Sequence, residues 1–262
     1  MRERVPVWLV VPVVIGLVFL LAPVVALVQR APWSELGHEL ASGPVRTALR
    51  LSLVTSLAAT VLAMVLGVPL AWVLARSEWR LLRLVRAVTL LPLVLPPVVG
   101  GVALLLALGS RGLIGQWLDR TFGLTLPFTT AGAVVAELFV ALPFAVVTVE
   151  AGLRAVDRRL EEAAATLGAG PWRRFWRVSM PLAAPSLAAG AALCWARALG
   201  EFGATITFAG NLPGRTQTLP LAVYLELQTR PEVAVLLSLV LLTVSVVVLV
   251  ALRGRWVGLG RP

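Results

Sequence analysis

Few residues in this chain could carry out covalent chemistry. Its 262 residues include one histidine, His38, and one cysteine, Cys194, which lies in an apolar run. One cysteine cannot form an internal disulfide, and the two together make a poor metal site. There is no H-E-x-x-H zinc pattern and no G-x-S-x-G nucleophile elbow. No G-x-x-x-x-G-K-[ST] phosphate loop is present either. No catalytic residue, metal site or resident cofactor is therefore expected. The reactive types that remain are charges in unusual places. Arg197 and Glu201 stand four apart inside an apolar stretch. That spacing puts them on one face if the helix is continuous. Intramembrane charges are costly, so they face the protein interior and pair. An ion pair that fixes helix packing or a dimer is the favoured reading, because a strong anion site would hinder release. The other reading places Arg197 beside an anion path, with Thr205, Thr207 and Asn211 as polar contacts at its outer mouth. Glu137 and Glu150 fall near the ends of another apolar stretch; Glu150 and Arg154 form an i, i+4 pair of the favourable order.

The elements around these residues must be membrane spans. The chain is 59% hydrophobic and 14% charged, with mean hydropathy +0.92. A soluble domain carries roughly a quarter charged residues. The net charge of +10 does not indicate nucleic acid, because the arginines cluster at the ends of apolar runs rather than on one basic face. Six stretches reach the roughly 20 residues that a spanning helix needs: 7–28, 49–75, 87–108, 131–153, 182–207 and 233–252. The first is too long for a secretory h-region, and no A-x-A pattern follows it, so a retained helix is expected. Continuous apolar runs rule out barrel strands, which alternate. The expected fold is all-α, a single polytopic domain over 1–262.

All 23 basic residues are arginine. Fifteen fall in one set of connections: Arg2 and Arg4; Arg76, Arg80, Arg83 and Arg86; Arg154, Arg158, Arg159, Arg173, Arg174 and Arg177; and Arg253, Arg255 and Arg261. Six fall in the other set, and Arg50 and Arg197 lie inside spans. The positive-inside rule puts the richer set, and with it both termini, in the cytoplasm. In the third span, Pro92, Pro96 and Pro97 each remove a backbone donor, and Gly100 permits close approach. A kink is expected there, serving either as a gate or only as a structural bend.

The longest cytoplasmic connection, 154–181, is too ordered to be a linker. Leu160-Glu-Glu-Ala-Ala-Ala-Thr-Leu is a strong helix former. Gly168 and Gly170 stop it, and Pro171 suits the first turn of a second helix. Trp172, Phe175 and Trp176 then share one face, with Arg173, Arg174 and Arg177 around the rest. That pattern fits a helix lying in the interface, aromatics toward acyl chains and arginines toward headgroups.

Here the sequence resembles a known family. Glu162-Ala163-Ala164, Gly168, Val178 and Met180-Pro181 match the spacing E-A-A-x3-G-x9-I-x-L-P, the EAA loop of ABC importer permeases. Val178 and Met180 replace Ile and Leu. The resemblance implies the type I ABC importer permease fold. It makes Glu162, Ala163, Ala164 and Gly168, with Asp157 and Leu160 in the same segment, a coupling helix seated on a cytoplasmic ATPase subunit. ATP and magnesium would sit on that partner and not on this chain. The further partners implied are a second copy of the chain, an extracytoplasmic binding protein and the lipid bilayer of a bacterial cytoplasmic membrane. The stretch from Ala196 to Tyr224 is similar to the molybdate branch of these permeases. Its Ala196–Gly203 core is shared with sulfate permeases, and the Pro213–Tyr224 continuation looks more like molybdate. Tungstate and sulfate remain as alternatives. A secondary anion transporter would more often show paired intramembrane carboxylates and inverted repeats, and neither is evident.

Overall fold

A computed structural model describes residues 7–257. These are mainly α-helical, with no strand among the described residues. The expectation that Arg2, Arg4, Arg253, Arg255 and Arg261 gather at one end rests on side chains outside the described residues.

Helix α1, Val7–Gln29, is followed by the short α2, Leu36–Ala41, and by α3, Gly43–Arg76. At 34 residues, α3 is about 51 Å long and begins six residues before the expected span. Pro44 at its first turn gives up no bond, because the first turn has no intrahelical acceptor. Next come α4, Leu82–Val94, and α5, Pro97–Leu108. The single span expected at 87–108 is instead two helices bent by 119°. Leu95 and Pro96 both precede a proline, which disfavours the helical region, and both are extended, with ψ of 132° and 134°. The amphipathic α6, Gly115–Phe122, ends at Gly123, whose φ of 63° suits glycine. Helix α7, Thr130–Ala155, is capped by Thr129 Oγ1, which accepts from the Gly132 N–H at 3.0 Å.

After α7 come α8, Arg158–Thr166, and α9, Pro171–Arg174. A π-helical turn, Phe175–Ser179, leads into α10, Met180–Leu182. The chain then bends by 75° into α11, Ala184–Leu199. The fifth span was expected to run on to Thr207. It stops at Leu199, and α12, Gly203–Phe208, starts afresh. Helices α13, Leu219–Thr229, and α14, Pro231–Val257, complete the described residues. Among the described residues, four helices are long and apolar enough to cross a membrane alone, and the number rises to six if each bent pair is one span.

The bundle is organised around α3, α7 and α11. Their shared middle is made of small residues: Ala59 and Ala63, Ala141 and Ala145, and Cys194 and Ala198 are all fully buried. Lipid offers no hydrophobic drive between helices, so close backbone approach through small side chains supplies the packing. At the end that carries α8, larger groups fill the core, among them Leu74, Val149, Leu153 and Phe175. At the far end α5 and α12 close on α7 through Leu104, Ala136 and Phe208. Among the described residues, α1 packs mainly against α14 and is exposed along nearly its whole length.

Candidate functional site

The α8 segment forms as its sequence dictates. Asp157 Oδ1 accepts from the Arg159 N–H at 2.9 Å and caps the helix. At the other end, Gly168 N–H bonds Ala165 O at 3.0 Å and Ala169 N–H bonds Ala164 O at 2.9 Å. This is a Schellman stop, and it requires the left-handed backbone that Gly168 adopts at φ 83°. Gly170 then caps α9, with Pro171 in its first turn. Pro181 has no N–H to donate, which leaves the turn before it free to widen. That turn is π-helical, not the regular helix expected, and π turns concentrate at functional positions.

The polarity of α8 is inverted. Leu160, Ala163, Ala164 and Leu167 share one face at i, i+3, i+4 and i+7, and this apolar face looks outward. Leu167 is 88% exposed and Leu160 49%. Glu162 is also exposed. The residue turned into the protein is the acid Glu161. Its Oε1 accepts from Arg76 Nη2 at 2.8 Å, Arg76 Nε at 3.1 Å and Ser179 Oγ at 2.7 Å. One carboxylate thus ties α8 to the end of α3 and to the π turn. Sequence reading passed over Glu161, because it stands beside the motif glutamate and pairs with a residue 85 positions away.

A second network braces the same end. Glu150 Oε1 accepts from Arg154 Nε at 2.9 Å and also from Arg86. Arg154 donates to Leu74 O at 3.0 Å and Arg158 to Ala75 O at 3.3 Å. Those carbonyls are the last of α3 and have no intrahelical partner. Cations at a helix C-terminus also meet its negative dipole end. The Glu150–Arg154 pair, expected only as a favourable i, i+4 contact, is part of this brace.

The remaining expected residues lie elsewhere. Pro92 sits inside α4, Pro96 and Pro97 form the bend, and Gly100 is buried against Phe139. Arg197 and Glu201 do pair, at 2.6 Å, although the helix breaks between them. Glu201 is buried, and its other oxygen accepts from the Ala204 N–H at 2.7 Å, starting α12. Thr205 is fully buried. Thr207 donates to Gly203 O at 2.8 Å. Glu137, on the face of α7 that meets α3, accepts from Thr55 Oγ1 at 2.8 Å. Asn211 begins a packed turn in which Leu212 N–H bonds Thr216 Oγ1 at 2.9 Å and Leu219 N–H bonds Ser52 Oγ at 2.6 Å. None of these groups touches the α8 site. Among the described residues, no cluster of three or more His, Cys, Asp or Glu side chains could hold a metal.

Comparison with known proteins fits this geometry. Residues 63–258 match the family model described as the inner membrane component of binding-protein-dependent transport systems. The chain is 47% identical to the molybdenum transport system permease protein ModB of Mycobacterium tuberculosis, over 95% of this chain and 94% of that one. It is 37% identical to a probable sulfate transport system permease protein of Chlorokybus atmophyticus, over 88% and 82%. In fold it is similar to a chain of a bacterial ABC transporter that imports alginate, with a TM-score of 0.78 and 17% identity, covering 97% of this chain and 95% of the other. The chain therefore belongs to the inner-membrane permease family of binding-protein-dependent transport systems.

Proposed function

We propose that this chain is the membrane-spanning subunit of an ATP-driven molybdate importer, and that α8 is where a partner ATPase pushes on it. The observation that carries this reading is the inverted helix. An apolar stripe facing out at the aqueous end of a bundle needs a protein to cover it. Glu161 meanwhile fastens the same helix to the spans behind. The positive-inside count puts this end in the cytoplasm, where an ATPase would be. The chain has no phosphate-binding loop of its own, so ATP and magnesium belong to the partner. Glu162, Ala163, Ala164 and Leu160 would meet the ATPase surface, and Asp157 and Gly168 define the two ends of the helix that does so.

Two copies of the chain would form the pathway along a shared interface, with a binding protein docking on the opposite side. Closure of the ATPases on ATP would draw the two α8 helices together and open the outer gate. This is two-state coupling, in which each ligand shifts the balance by its differential affinity. Identity to the molybdenum permease exceeds that to the sulfate permease, which favours molybdate as cargo.

The test is ATPase activity of the complex reconstituted in liposomes, with the binding protein empty or loaded with molybdate, tungstate or sulfate. Molybdate should stimulate and sulfate should not. Stimulation by sulfate above molybdate would overturn the cargo assignment. A Glu162→Arg variant should insert and assemble but lose transport; normal transport by that variant would overturn the role of α8.

A further inference from the structure

The α8 end also contains an apolar cavity of about 670 Å³ on the side of the bundle. One wall is α3, through Val65, Val68 and Trp72; the other is the segment after α8, through Trp172, Phe175 and Trp176. From Val73 back to Val65 the α3 wall runs about 12 Å along the helix axis. The cavity is therefore a slot leading from the membrane surface into the hydrocarbon layer. Phe175 closes its base, edge-on to Trp72 with ring centroids 5.6 Å apart.

The charges beside this slot differ from those in the two networks of the α8 end. Arg76, Arg86, Arg154 and Arg158 are all engaged, by Glu150, by Glu161 or by the last carbonyls of α3. Arg173, Arg174 and Arg177 lie on the slot's own segment, and none of them pairs with a carboxylate among the described residues. Trp72 Nε1 on the slot wall is a buried donor with no acceptor, and Arg174 Nε, on the adjoining segment but outside the lining, is another. An unmet buried donor costs about 1–3 kcal/mol. The site thus combines an apolar slot, uncommitted positive charge and a shortage of acceptor oxygens.

We propose that the slot binds one anionic phospholipid, its acyl chain lying along Val65, Val68 and Trp72 and its phosphate on Arg173 and Arg177. Basic surfaces between spans on the cytoplasmic side select acidic headgroups. A zwitterionic lipid would bring its own cation against the arginines. An apolar helix from a second copy would fill the slot and leave the arginines unmet. The lipid would be a structural element of the α8 end, holding the π turn against α3.

Native mass spectrometry of the full chain in detergent tests this, with phosphatidylglycerol and phosphatidylcholine of identical chains added in competition. The expected result is one phosphatidylglycerol retained per chain with a preference of about thirtyfold, the effect of two arginines at a membrane surface. Arg173→Gln combined with Arg177→Gln should bring the preference to about onefold. Val65→Trp, which fills the slot from an exposed position, should reduce retention of both lipids. Protection of the buried Cys194 thiol confirms folding of each variant. Equal retention of the two lipids by the unmodified chain overturns the proposal, as does a preference that survives the arginine substitutions. So does undiminished retention by Val65→Trp. A slot that takes no lipid because a second copy covers it also overturns it. None of these readouts uses cargo or ATPase, so failure here leaves the permease assignment standing.

Discussion

Glu161 and Glu162 are chemically identical neighbours with opposite tasks. One is held by three hydrogen bonds inside the protein, and the other is free at the surface. The Arg76 and Glu161 side chains are only 9% and 11% exposed. Removing one member of a buried pair strands the other, at a cost of about 3–5 kcal/mol. Glu161→Ala should therefore lower the melting temperature substantially. Glu161→Leu combined with Arg76→Met should recover most of the loss, because an apolar pair requires no compensation. Cys194 is the chain's sole cysteine and is buried, so its reactivity toward a thiol dye during heating measures both. Additive losses in the double variant would show that the two residues do not act as a pair. The EAA spacing singled out Glu162, Ala163, Ala164 and Gly168, which lie in α8 and at its stop. It could not reveal Glu161, because the partner Arg76 is 85 residues away and nothing local points to it.

Elements were legible where periodicity and caps decide them. Gly168, Gly170 and Pro171 each stand where the sequence puts a helix end, and Asp157 adds a cap that the sequence reading did not assign. The spans with few breakers, α1, α3, α7 and α14, are continuous. Reading failed where tertiary packing takes over from local preference. The bend between α4 and α5 was expected as a kink, but its 119° depends on what α5 packs against. A Cβ at Gly101 would lie 2.6 Å from the Thr207 Cβ and 2.9 Å from Ala204 O. Only a glycine lets α5 approach α12 that closely. Gly101→Ala should destabilise by about 1–3 kcal/mol through overpacking, whereas Gly16→Ala, with nothing within 4 Å, should not destabilise at all. Thermal unfolding of the two variants checks this, and equal stability would mean that α5 sits less tightly than described.

At the scale of the whole molecule, the bent α4–α5 pair must still cross the membrane for the topology to hold. Arg86 meets Glu150 and Leu104 packs on Ala136. Those α7 residues are about 21 Å apart along the helix, so the pair advances from one end of the bundle to the other. Ser77 and Ser110 flank it and are both exposed. On a Cys194→Ser background, Ser110→Cys should react with a membrane-impermeant maleimide in intact cells, and Ser77→Cys only after permeabilisation. If both react alike, the pair is a re-entrant hairpin and the count of six spans fails. The length of α3 has a consequence for how such a protein moves. Its lower end is gripped at Arg76 by Glu161, its upper part at Ser52 by Leu219, and its middle lies against the alanine seam at Ala63. The two arms from that seam, to Arg76 and to Ser52, are about 20 Å and 17 Å. A rod pivoting there behaves as a see-saw: a pull on its lower end swings the upper end the opposite way by nearly the same distance, so the two mouths of a channel built on it could not gape at once.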